Sequence, residues 1–178
     1  MLSVGDRFPE FSLKAAGAGE GLKALHDLSS ADFKSKWLVA FFYPKDFTFV
    51  CPTEILGFAS LNSDFEERGA KVIGVSTDSE FVHMAWRQSR DDFASLPFPL
   101  VSDIRRDLSE ALGILEDSEK ICNRATYIVD PDGVIQYAAM TAGSVGRNPA
   151  EVLRILDALQ TGELCPASWA KGQDTITL

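Results

Sequence analysis

Trp37-Leu38-Val39-Ala40-Phe41-Phe42-Tyr43 is apolar at every position, and Lys71 to Ser76 (Lys-Val-Ile-Gly-Val-Ser) is nearly so. A strand without alternation must be covered on both faces. Between the two runs, Ile55, Ala59 and Asn62 fall at helical spacing with Leu56, Phe58 and Phe65 alongside, and Gly69 is placed to stop the helix that begins at Cys51. Strand, helix and strand in this order predict a parallel pair joined by a right-handed crossover. That unit restricts the chain to an α/β sheet with helices outside.

The remaining segments extend the sheet. The Gly/Ala-rich run Ala15 to Gly21 separates the apolar pieces Phe8–Leu13 and Leu22–Leu28, and reads as a hairpin turn. A helix is expected over Ser79–Ser89, a short strand over Phe98–Val101 and a short helix over Asp107–Leu112. Arg124–Asp130 and Val134–Ala138 flank Pro131-Asp132-Gly133, a hairpin signal. Asn148-Pro149-Ala150-Glu151 opens a last helix, which Gly162 closes. The sum is a mixed central sheet flanked by helices, a three-layer α/β domain over 1–162, followed by a tail over 163–178.

A length of 178 residues suits one domain, with 46% hydrophobic and 24% charged residues and no apolar stretch long enough to span a bilayer. The net charge of −9 argues against sequence-independent binding to nucleic acid or anionic lipid. The start, Met1-Leu2-Ser3-Val4-Gly5-Asp6-Arg7, lacks the layout of a signal peptide, so a cytoplasmic location is the expectation. Cys51, Cys122 and Cys165 form neither a CxxC nor a zinc spacing, and with only His26 and His83 beside them no metal site is expected. A disulfide scaffold is not expected either, which leaves inert thiols or redox-active ones.

Cys51 is the thiol whose placement predicts reactivity. Pro44 ends the first strand, Pro52 suits a first helical turn, and the cysteine falls at the helix N-terminus, where unpaired N–H groups and the helix dipole favour thiolate. Thr48, three residues earlier, offers a hydroxyl to the sulfur or to a ligand oxygen beside it.

Pro44-x-x-x-Thr48-x-x-Cys51, with Phe-Thr-Phe-Val-Cys-Pro-Thr-Glu at its centre, resembles the active-site loop of typical two-cysteine peroxiredoxins. Glu163-Leu164-Cys165-Pro166-Ala167-Ser168-Trp169 is similar to that family's resolving-cysteine segment, with Leu164 where valine is usual. Arg124 in Asn-Arg-Ala-Thr-Tyr-Ile-Val-Asp, His83-Met84-Ala85-Trp86 and Gly146-Arg147 add matches in the expected order. Within the family the chain looks most like the bacterial alkyl hydroperoxide reductase C group. Two departures stand out from eukaryotic, hyperoxidation-sensitive members: Ser89 to Leu96 has no glycine where those carry Gly-Gly-Leu-Gly, and no Tyr-Phe helix follows Trp169. Both imply a tail that unfolds easily and resistance to over-oxidation.

The resemblance implies a thioredoxin-like fold, head-to-tail homodimers, often five in a ring, and reduction of hydrogen peroxide, organic hydroperoxides or peroxynitrite without a cofactor. Cys51 would be the peroxidatic nucleophile and Cys165 the resolving cysteine, forming an intersubunit disulfide. Thr48 would bind the peroxide, Pro44 shield the thiolate, and Arg124 stabilise both thiolate and leaving oxygen. Glu54 is expected to orient an arginine and Arg147 to join that network. Cys122 matches no motif and is expected to be inert; His83 is read as a packing or polar contact, Trp86 and Trp169 as packing residues. The disulfide would be reduced by thioredoxin, a flavoprotein reductase or a dithiol adaptor, among which no residue discriminates. The missing CxxC argues against a general disulfide reductase, and a holdase or signalling ring is the alternative from another class.

Overall fold

The computed structural model describes residues 1–177. In chain order the elements are β1 (Ser12–Ala16), β2 (Leu25–Ser29), β3 (Trp37–Phe42), α1 (Cys51–Ser60), α2 (Asn62–Glu67), β4 (Ala70–Ser76), α3 (Glu80–Gln88), α4 (Asp91–Ala94), β5 (Leu100–Ser102), α5 (Asp107–Leu112), β6 (Arg124–Val129), β7 (Ile135–Thr141) and α6 (Pro149–Thr161). They build one sheet in the order β2-β1-β5-β4-β3-β6-β7. The three central strands β5, β4 and β3 run parallel; β1, β2, β6 and β7 pair antiparallel around them. The expected crossover, the first hairpin and the Pro131–Gly133 hairpin are all present.

The all-apolar β3 is buried on both faces, as its composition requires. Val39 and Phe41 enter one core with Ile55, Phe58, Phe65, Trp86 and Leu156. Leu38, Ala40 and Phe42 enter a second with Ile73, Val101, Leu112 and Tyr127. Phe41 stacks on Phe58 with ring centroids 4.3 Å apart, which seats α1 on the sheet directly behind the cysteine. Gly74 makes room for this packing, since a Cβ there would meet Phe41 at 2.8 Å and Leu100 at 3.1 Å.

One expectation is corrected. The single helix from Cys51 to Gly69 is divided at Leu61 (φ −106°, ψ 7°) into α1 and α2. Only Arg68 and Gly69 connect α2 to β4, so a straight helix could not deliver the chain to the start of that strand; the break lays α2 along β4. Arg68 then grips Asp157 of α6 through Nε (2.5 Å) and Nη2 (3.0 Å), a bidentate pair that fixes the last helix beside α2. Beyond α6, capped by Gly162 at φ 66°, the chain returns on itself: Leu164 bridges Ile176, Trp169 is buried, and Arg154 Nη1 donates to the Trp169 carbonyl at 2.7 Å. The segment beyond α6 is thus anchored at its middle. Among the described residues no helix is long and apolar enough to cross a membrane.

Candidate active site

Cys51 is the first residue of α1, with Pro52 in the first turn, and only 1% of it is exposed. β3 runs toward this point and β6, antiparallel to it, starts from the same end, so Arg124 at the head of β6 arrives beside the thiol. Its Nη1 donates to Cys51 Sγ at 3.4 Å and to Glu54 Oε2 at 2.6 Å. Glu54 is one turn after Cys51 on the same face of α1.

Arg147, from the segment between β7 and α6, closes the other side of Glu54. Its backbone N–H (2.9 Å) and Nε (2.7 Å) donate to Oε1, and Nη2 donates to Oε2 at 3.0 Å. Arg147 Nη1 also donates to the Ala125 carbonyl and Thr126 Oγ1, while Arg124 Nε holds the Gly143 carbonyl at 2.8 Å. The guanidinium of Arg147 lies 5.6 Å over the Phe41 ring, tying the site to the core. Burial works against the charge on Glu54, but the hydrogen bonds and charge of Arg147, joined by the charge of Arg124, outweigh it and hold the carboxyl below its ordinary value.

All three side chains are nearly inaccessible, Glu54 at 1%, Arg124 at 5% and Arg147 at 6%. Two guanidinium groups against one carboxylate leave a surplus positive charge in a site shielded from water. Negative charge on the sulfur, or on an oxygen leaving from it, is the charge that balances it.

The other expected residues are placed less directly. Pro44 is half-buried at the end of β3, as expected of a residue that closes the strand. Thr48 Oγ1 donates to the Lys45 carbonyl at 2.8 Å rather than to the sulfur, which spends its hydrogen on the turn and leaves its lone pairs to accept. Cys165 is free, partly exposed, and lies against Thr161 Oγ1 (3.4 Å) and the Ala158 carbonyl (3.7 Å); it forms no disulfide with Cys51 of the same chain. Cys122 is buried against Ser109, and burial pushes its thiol up to about 12 despite that hydrogen bond, in keeping with an inert role. His83 is fully buried and bonded to Asp46, and Trp86 and Trp169 are buried. Sequence reasoning singled out neither Asp46, at an open position of the Pro44–Cys51 motif, nor its partner Tyr43 just before it; their side chains meet His83 only in the fold.

Residues 4–138 match the model of the AhpC/TSA family. The chain belongs to that family. It is 51% identical to "Alkyl hydroperoxide reductase C" of Mycolicibacterium smegmatis, over 99% of this chain and 94% of the relative. Among solved structures, "Mycobacterium tuberculosis AhpC" superposes with a TM-score of 0.87 at 48% identity, covering 95% of this chain and 99% of that one. A reduced 2-Cys peroxiredoxin of Plasmodium vivax superposes with a TM-score of 0.89 at 32% identity, covering 98% and 92%. The thioredoxin-like fold and the enzyme class expected from the motifs stand with these likenesses: the chain is a thiol-dependent peroxidase of the peroxiredoxin type.

Proposed function

We propose that Cys51 is the peroxidatic nucleophile of a two-cysteine cycle acting on hydrogen peroxide, small organic hydroperoxides and peroxynitrite, in antioxidant defence and redox homeostasis of the cytoplasm. The single observation that carries this reading is the donor contact from Arg124 to Cys51 Sγ within a buried cluster bearing surplus positive charge. The thiolate attacks one peroxide oxygen, the O–O bond breaks, and the leaving oxygen departs as water or alcohol after taking a proton, or within nitrite when the substrate is peroxynitrite; Cys51 is left as sulfenic acid. Arg124 meets the negative charge in both the starting thiolate and the leaving oxygen, Glu54 and Arg147 hold Arg124 in place, Thr48 accepts a hydrogen bond from the peroxide, and Pro44 shields the sulfur.

In the second half, residues 163–178 act as a resolving arm. Cys165 of a second copy attacks the sulfenic sulfur, water leaves, and an intersubunit disulfide forms, with five such dimers closing a ring. Thioredoxin, a flavoprotein reductase or a dithiol adaptor returns the two electrons. Cys51→Ser reduces peroxide turnover to background, and unchanged turnover overturns the assignment. On non-reducing gels peroxide converts the protein to a covalent dimer that is absent in Cys165→Ser; a dimer that persists removes Cys165 from its role. Following NAD(P)H oxidation with each candidate reductase identifies the donor.

A further inference from the structure

Where β3 begins and β6 ends, the molecule holds a cavity of about 190 Å³. Three segments line it: residues 7–11 before β1, residues 30–36 before β3, and the end of β6 with the Pro131–Gly133 turn. Backbone bonds join them to one another. Phe8 N–H donates to the Gly133 carbonyl at 3.0 Å, Ser30 N–H to the Phe11 carbonyl at 3.0 Å, and Ser35 N–H to the Pro131 carbonyl at 3.3 Å. The walls therefore stand in place before any ligand arrives. From Leu38, which lines the cavity, to Phe42 the strand advances about 13 Å, and Cys51 lies beyond that end.

The lining joins two chemistries. Its apolar part is Leu38 and three aromatic residues, Phe8, Phe11 and Phe33. Leu38 and Phe11 are buried, and Phe11 meets Phe8 edge-on at 6.4 Å and Phe33 at a tilt at 6.1 Å. Its cationic part is Arg7, Lys34 and Lys36. Among the described residues none of these three is ion-paired. Arg7 Nη2 donates to the Asp132 carbonyl at 3.0 Å and Lys36 Nζ to the Asp32 carbonyl at 3.1 Å. The carboxylates nearby do not answer them. Asp130 is spent within its own turn, accepting from the Asp132 and Val134 N–H groups and from Gln136 Nε2, while Glu10 and Asp132 are exposed at the rim.

We propose that this cavity binds a small aromatic carboxylate, its ring among Phe8, Phe11 and Phe33 and its carboxylate on Arg7 and Lys34. Each half of such a ligand answers one half of the lining. The Arg7 guanidinium gives one hydrogen to the Asp132 carbonyl and keeps others to meet both oxygens of a carboxylate. Inorganic phosphate leaves the rings unmatched, and a neutral ring leaves the cations unmatched. A nucleotide is too large, since about 190 Å³ falls below the volume of pockets that take drug-sized molecules. The chain as a whole carries a net charge of −9 and repels anions, so affinity comes from these local cations and weakens with salt.

Calorimetric titration of the full chain with 3-phenylpropionate tests the assignment. One site per chain is expected, with Kd below about 1 mM at low salt. Arg7→Gln keeps a donor for the Asp132 carbonyl while removing the charge, and is expected to weaken binding about tenfold. Lys34 makes no side-chain hydrogen bond among the described residues, so Lys34→Gln leaves the fold alone and is expected to weaken binding about threefold. The neutral 3-phenylpropan-1-ol is expected to bind about tenfold more weakly than the acid. Absence of binding, or affinity unchanged in the R7Q/K34Q double variant, overturns the site. An alcohol that binds as well as the acid, or inorganic phosphate that displaces the acid at equal concentration, overturns the ligand class. No peroxide is used, so the result stands apart from the Cys51→Ser test of the peroxidase cycle.

Discussion

Glu54 is the residue on which both arginines of the site converge, and its removal is the most informative single change there. Glu54→Gln leaves two buried guanidinium groups without a counter-charge, which is expected to cost about 3–5 kcal/mol in urea unfolding. Arg124 loses its support at the same time, and the rate of Cys51 oxidation in stopped-flow is expected to fall about 100-fold. The acid profile has a definite sign. Because the native carboxyl is held below its ordinary value, Glu54 contributes its full stability above about pH 4.3 and loses it as pH falls through the lower native value. The stability gap between wild type and E54Q therefore narrows in acid, and a gap that widens on acidification contradicts the ion-pair account. At this scale Cys51 and Arg124 were legible because a local motif or a family match marks each of them. Asp46 was not singled out, because its partner His83 is 37 residues away and no local spacing announces the contact.

At the scale of elements, β3 and α1 form the mechanical base of the site. Phe58 is fully buried, stacked on Phe41 and 6.3 Å from Phe65. It stands about two turns along the helix that Cys51 begins. Phe58→Ala is expected to cost about 3–5 kcal/mol by urea unfolding. Loss below about 1 kcal/mol would show that α1 is not seated by this stack. Elements with a clear period or strong punctuation were readable in the sequence: the doubly buried β3 and β4, the Pro131–Gly133 hairpin, and α6 between its Asn148 cap and Gly162. The break at Leu61 and the single-turn α4 were not, since each is set by where the chain must go next rather than by its own residues. Thr48 illustrates the same limit, its hydrogen being taken by the Lys45 carbonyl of its own turn.

At the scale of the whole molecule, the C-terminal return is the segment that the proposed cycle requires to release Cys165. Arg154, held by Glu151 one turn earlier on α6, joins that helix to the return through the Trp169 carbonyl. Arg154→Ala removes a charge-assisted bond worth about 1.5–3 kcal/mol and is expected to speed limited proteolysis within 163–177 about tenfold, with the melting of the body little changed. Unaltered cleavage would mean that Trp169 burial alone holds the return. The antiparallel pairing of β3 with β6 has a further consequence, in the life history of the chain. Cys51 and Arg124 are 73 residues apart, and Glu54 and Arg147 are 93 apart. Contacts of such separation form late in folding. A growing polypeptide carries Cys51 long before it has the cations that answer it, so the thiol acquires its charged surroundings only once synthesis has passed Arg147 and the sheet has closed.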